Sequence, residues 1–295
     1  MTVSKGSKNH SSGNGASSLA RKPLLWLNVL CLDAPLVAVS WQFLFAGTFG
    51  IRVRPAESAA LFLTAWGIYL VDRFADSIVL KAGADRSVRA DFCVRHHKRR
   101  AALLVIVGVA DGAIILAGLT PEIILPGLIL GMLAVFYLVI NYFFSTAWRT
   151  LPIKEVAIGF LFAAGVILVL WSRAGHYGLD LLLTGILFGW VCAINCMSIA
   201  VWERELDGGQ GKHSFATERA GAGGFVLALA AAAAIACFVE SVVSPVSRPL
   251  TICLGISALL LLGLHFLPIH RDERVASADL VLLTPLVFLL AERIL

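Results

Sequence analysis

The sequence predicts an all-α integral membrane protein with about nine transmembrane helices, and three observations carry that prediction. Of the 295 residues, 59% are hydrophobic and 15% charged, and the mean hydropathy is +0.86; a soluble domain holds about 25% charged residues. Apolar runs of about 18 residues or more recur along the whole chain, each able as a helix to cross a hydrocarbon core about 30 Å thick. Basic residues also alternate between successive connections, as the cytoplasmic excess of Lys and Arg requires.

The predicted spans are Pro23–Ala46, Glu57–Val79, Ala101–Leu119, Ile123–Phe144, Ile153–Trp171, Leu179–Val201, Gly221–Glu240, Pro249–Leu267 and Val275–Leu295. Residues 1–22, rich in Ser, Gly, Asn and Lys, read as a disordered cytoplasmic tail, and residues 23–295 as one polytopic domain. The first span is too long for the apolar region of a cleaved signal and lacks a small-residue cleavage site; it carries Asn28 and Asp33. The second closes on Asp72 and Asp76. The third holds Asp111 near its middle, and only Thr120-Pro121-Glu122 divides it from the fourth, where Gly127 and Gly131 give a close-packing spacing. Lys154 opens the fifth. The sixth runs into Glu203, the seventh starts on the small residue Gly221, the eighth contains His265, which reads as a core histidine, and the ninth contains Asp279.

Counted on alternate connections, one face takes Lys5, Lys8, Arg21, Lys22, Lys81, Arg86, Arg89, Arg95, Lys98, Arg99, Arg100, Arg149, Lys154, Arg204, Lys212, Arg219, Arg271 and Arg274. The other takes only Arg52, Arg54, Arg173, Arg248 and Arg293. This places the N-terminus in the cytoplasm and the C-terminus across the cell (inner) membrane. It also assigns most of the net charge of +5 to topology, so no nucleic-acid partner is expected. The dispersed cysteines, Cys31, Cys93, Cys192, Cys196, Cys237 and Cys253, read as small buried hydrophobes.

An ionisable residue inside an apolar span costs about 2.5–3.5 kcal/mol on insertion scales, so the acids are the informative positions. Asp72 and Asp76 are four apart, which stacks them on one helix face about 6 Å apart along the axis. Glu203 and Asp207 repeat that spacing, while Glu205 points away. Both pairs close spans that run toward the cytoplasm, where the helix macrodipole disfavours acids. A wet interfacial helix end tolerates such acids, and a divalent cation rewards them. Magnesium takes oxygen ligands, commonly one or two carboxylates with water and substrate phosphate. The basic loop from Lys81 to Arg100 reads either as the topology signal or as a lid over an anionic substrate.

Together these motifs resemble the UbiA superfamily of intramembrane prenyltransferases. The matching residues are Asp72-x-x-x-Asp76, Glu203-x-x-x-Asp207 ahead of Gly211-Lys212-His213-Ser214, Lys154, and the closing run from Ala278-Asp279 to Pro285. The chain departs from the family pattern at Ile68, where Asn is usual, at Glu203, where Asp is common, and at Thr150, where Tyr is frequent. The resemblance implies helices around a central chamber and Mg2+ as cofactor, held by Asp72, Asp76, Glu203 and Asp207. It implies a diphosphate bound by Arg149, Lys154, Arg73 and Lys212, with catalysis resting on the four acids and Lys154. Its partners would be a polyprenyl diphosphate, a hydrophobic or aromatic acceptor, and membrane lipids, with Trp66, Tyr69, Phe160 and Trp202 as candidate walls for the tail. The alternative is a non-catalytic scaffold or a transporter of the same helical plan; paired helix breaks at mid-membrane, which a transporter shows, are not evident.

Overall fold

The computed structural model describes residues 23–79, 86–143 and 151–294. Among them every regular element is helical, and no strand occurs. In chain order the helices are α1 Pro23–Val29, α2 Asp33–Thr48, α3 Pro55–Val79, α4 Val88–Arg95, α5 His97–Gly118, α6 Pro121–Phe143, α7 Ile153–Trp171, α8 Gly178–Trp202, α9 Arg204–Gln210, α10 Phe215–Glu218, α11 Ala222–Val243, α12 Arg248–Leu264, α13 Arg271–Leu280 and α14 Thr284–Ile294. Five of them, α5, α6, α7, α8 and α11, are long and apolar enough to cross a membrane. This is a multi-pass helical membrane protein. The tail, residues 1–22, lies outside the described residues.

Helix α8 is the central post. Of its apolar window 61% is buried, against 6% for α5 and 17% for α6. Those two helices turn Val109, Leu116, Leu125, Met132, Phe136 and Phe143 outward, as a lipid-facing surface does. One apolar cluster joins Trp41 and Phe45 of α2 to Leu170 of α7, Phe188 of α8 and Leu254 of α12. A second, further along α8, gathers Ile194, Met197, Phe215, Val226 and Leu261. The closest helix approach is between α7 and α8: a Cβ on Gly159 would stand 2.5 Å from the Ala193 nitrogen and 2.8 Å from the Gly189 carbonyl. Gly127 and Gly131, expected to mark a packing face, have nothing within 4 Å of an added Cβ; α6 is too peripheral to use them.

The two end spans are broken rather than continuous. The first divides at Leu30–Leu32, where Cys31 takes a left-handed φ of 59°. Asn28 donates from its side chain to the Asp33 carboxylate at 2.8 Å, and that carboxylate accepts from the Ala34 amide at 3.0 Å, a backbone donor that a continuous helix would have bonded itself. Cys31 thus lies in the break rather than within a span. The last span passes through a 3₁₀ turn, Val281–Leu283, pinned where Trp41 donates to the Leu282 carbonyl at 2.8 Å. The division at Leu119–Thr120 before Pro121 is present.

Candidate functional site

The site stands where α3 ends and α8 passes into α9. Asp72 and Asp76 share a face of α3, and the cation that relieves their repulsion is the residue between them. The Arg73 guanidinium lies 3.8 Å from Asp72 and 3.7 Å from Asp76, steadied 4.9 Å above the Tyr69 ring. The second acidic motif comes to the same place. Helix α8 stops at Glu203, α9 carries Asp207, and Gly211 at φ 73° turns the chain, a conformation open to glycine at little steric cost. That turn delivers Lys212, whose Nζ is 3.6 Å from the Asp76 carboxylate.

Helix α4 closes the cluster from the loop side. Ser87 caps it by accepting from the Ala90 amide at 3.2 Å, and the Val88 amide donates to Asp272 of α13 at 3.3 Å. This fixes Arg89 inward: one terminal nitrogen donates to both Glu203 oxygens, at 3.1 and 3.2 Å, while the other, Nη1, is buried without a hydrogen-bond partner. Arg100 also turns in, onto the Val29 carbonyl and the Cys31 sulfur. Arg95, His97, Lys98 and Arg99 face outward. Among the described residues of the basic loop, Arg89 and Arg100 are the basic side chains that are buried.

Lys154, at the start of α7, acts electrostatically on Asp72, Asp76 and Asp207. Burial pushes the Asp207 carboxyl above its ordinary value; Lys212 and Lys154 pull it down, and Glu203 and Asp76 add to the rise. The predicted residues Asp72, Arg73, Asp76, Lys154, Glu203, Asp207 and Lys212 are therefore brought together, and Arg149 lies outside the described residues. Two participants were not singled out from the sequence. Arg89 was hidden among the loop cations, and the buried Glu155, which Lys154 and Asp207 both influence, was signalled only by being an acid next to Lys154 at a helix start.

Arg73 and Lys212 pair with Asp72 and Asp76, and Arg89 with Glu203, while Asp207 lies within electrostatic range of Lys212 and Lys154. Among the described residues no three His, Cys, Asp or Glu groups converge closely enough to hold a metal ion. Paired carboxylates with cations beside them are oxygen donors of the kind magnesium takes together with phosphate oxygens.

Each candidate aromatic wall is half-buried and has a partner of its own, Arg73 in the case of Tyr69. Phe160 packs against Trp190 at 5.6 Å between centroids, and Trp66 donates to the Leu30 carbonyl. Trp202 lies on His265, donating to its Nδ1 at 3.3 Å, while Nε2 meets Ser198 at 3.2 Å, so both nitrogens of that histidine are satisfied. Asp111 accepts from Thr64 at 2.7 Å, the partner the sequence did not reveal. No family model, no curated protein and no solved structure matches the chain.

Proposed function

We propose that the chain is a UbiA-like, Mg2+-dependent intramembrane prenyltransferase, with about nine spans around a central chamber. It moves a polyprenyl group from its diphosphate to a lipid-accessible, aromatic or otherwise hydrophobic acceptor. It sits in the inner cell membrane with its N-terminus in the cytoplasm. One observation carries this reading: two acid pairs, from helices more than 100 residues apart in sequence, meet among basic side chains at one end of an apolar bundle. Nothing in folding requires that meeting, since buried ion pairs are weak contributors to stability.

In this reading the cations do the binding. Arg73, Lys154 and Lys212 face the phosphate oxygens, and Arg89 exchanges its contact with Glu203 for the diphosphate, its unpaired nitrogen being the first to engage. In sequence, Arg149 and Lys154 flank the start of α7. Asp72, Asp76, Glu203 and Asp207 would hold the magnesium ion, which would supply Lewis-acid neutralisation of the leaving group. The protein's remaining task is to keep water from the allylic cation, which a helix-lined apolar interior does.

Magnesium pyrophosphate added to the purified protein should raise its unfolding temperature, and Asp76→Asn or Asp207→Asn should abolish the rise. One observation favours a second reading. Every acid of the motifs already has a cation within reach, and Ile68 replaces the usual amide, as suits a scaffold whose cluster is only a clasp between helices. Under that reading magnesium pyrophosphate leaves the unfolding temperature unchanged in all variants.

A further inference from the structure

The end of the bundle away from the acid cluster carries few basic residues, yet three of them are gathered at one place. Glu57 lies in the first turn of α3, about 22 Å along the helix axis from Asp72. Two connections meet beside it, residues 49–54 between α2 and α3 and residues 172–177 between α7 and α8. Gly50 and Gly175 turn them at left-handed φ of 63° and 53°. Arg173 clamps one connection to the other. One of its terminal nitrogens donates to the Arg52 carbonyl at 2.8 Å and to Glu57 at 2.9 Å, and the second donates to Glu57 at 2.6 Å. Glu57 also accepts from the Arg54 amide at 2.9 Å and from Arg54 Nε at 2.7 Å. Four bonds fill the acceptor capacity of a carboxylate.

Between the connections opens a cleft of about 520 Å³, bordered by Arg52, Arg54 and Arg173 and by the apolar bodies of Phe49, Ile51 and Tyr177. Phe49 and Tyr177 pack together with ring centroids 5.8 Å apart. Among the described residues no acid lines the cleft. Glu57, behind it, answers only one of the three guanidinium charges, which leaves a surplus of two. Arg54 meets Glu57 through Nε, so its two terminal nitrogens are left for another acceptor, and Arg52 pairs with no carboxylate among the described residues. The level of the cleft is set by its second wall. That connection joins α7 to α8, both long and apolar enough to cross a membrane, so the cleft opens at a membrane surface. Exposed Trp171 and Leu179 flank the connection, and a tryptophan is common where hydrocarbon gives way to headgroups.

We propose that this cleft binds the phosphate of an anionic membrane phospholipid. Arg52 and Arg54 present planar, forked donors that match phosphate oxygens, and the surplus charge selects an anionic lipid over a zwitterionic one. Ile51 and Tyr177 take the glycerol and the start of the acyl chains. The headgroup thereby bridges the two connections that Arg173 already clamps. The site uses none of the residues assigned to the diphosphate, so it stands whether or not the transferase reading does.

The test uses the purified full chain, freed of lipid in detergent, with native mass spectrometry reading the binding of phosphatidylglycerol and of phosphatidylcholine. Inorganic phosphate and glycerol phosphate are added as competitors. Wild-type protein should bind phosphatidylglycerol about tenfold or more tighter than phosphatidylcholine. Arg52→Gln should weaken phosphatidylglycerol binding about tenfold, because it removes a charged donor while its carbonyl still accepts from Arg173. Arg54→Lys, which keeps a cation for Glu57 but loses the fork, should weaken it similarly. Arg248→Gln is the control. Arg248 starts α12 at the same end, where Ser244 donates to Asp180 at 3.3 Å, and its loss should change binding less than about twofold. Equal affinity for the two lipids, unchanged binding in Arg52→Gln, or an equal loss in Arg248→Gln overturns the site. Full displacement by inorganic phosphate or glycerol phosphate at the lipid's own concentration overturns the lipid assignment in favour of a free phosphate. Arg52→Gln breaks no bond to Glu57, so its result decides the matter even where Arg54→Lys loosens the fold.

Discussion

Replacing Arg89 by Gln should expose how the site is held before substrate arrives. Arg89 and Glu203 are 8% and 13% exposed at their side chains, and one guanidinium nitrogen serves both carboxylate oxygens at 3.1 and 3.2 Å. Removing a charged hydrogen-bond partner costs about 1.5–3 kcal/mol, and stranding a fully buried charge about 3–5 kcal/mol. Glu203 retains some access to water, so Arg89→Gln should destabilise by about 2–3 kcal/mol. The double variant Arg89→Gln, Glu203→Gln should recover most of that loss, because neither charge is then left unpaired. Equilibrium unfolding in detergent, run as a double-mutant cycle, reads both numbers. A cost for Arg89→Gln below about 0.5 kcal/mol, or strictly additive single variants, would show that the pair is a surface contact and refute the buried clasp.

Further outcomes follow from other parts of the structure. Gly159→Ala should destabilise by about 1–3 kcal/mol, measured by thermal unfolding, because its Cβ meets the Ala193 and Gly189 backbones, whereas Gly131→Ala should be neutral or stabilising. Arg173→Ala should cost about 1–3 kcal/mol, since Arg173 grips the fully buried Glu57 carboxylate through both terminal nitrogens, at 2.9 and 2.6 Å, and only Arg54 remains. For pH, burial raises the Asp207 carboxyl, so the folded protein keeps this proton more tightly than the unfolded chain does. The group's contribution to stability is present below the unfolded value, about 3.9, and is lost as pH rises through the folded one. Magnesium diphosphate competes with the same proton, so its binding should weaken with falling pH sooner than ordinary carboxylates predict, as calorimetric titration of the wild type across pH would read.

The helical class and the meeting of the acidic motifs were legible because each rests on a short-range pattern. A run of apolar residues reports a helix in lipid, and a four-residue spacing reports a shared face. What was not legible depends on how helices rotate about their axes. Arg89 and Glu203 are separated by 114 positions, and nothing in the spacing of the basic loop distinguishes Arg89 from Arg86 or Arg95. The break at Cys31 was masked by continuous apolarity, although Asn28 and Asp33, five apart within it, were its trace. Pro285 likewise marked trouble in the last span without locating the 3₁₀ turn ahead of it. Gly127 and Gly131 meet no neighbour within this chain, whereas Gly159, with Ala163 four residues on giving the same small-residue spacing, is the close contact.

The most direct measurement is pyrophosphate release from a prenyl diphosphate by the purified protein with magnesium and a membrane-lipid acceptor source, beside Asp72→Asn and Asp207→Asn. The account predicts release that needs magnesium and both aspartates, each substitution lowering it by about 100-fold or more. Folded wild-type protein that neither binds nor cleaves the diphosphate would contradict it and leave the cluster as a clasp between helices.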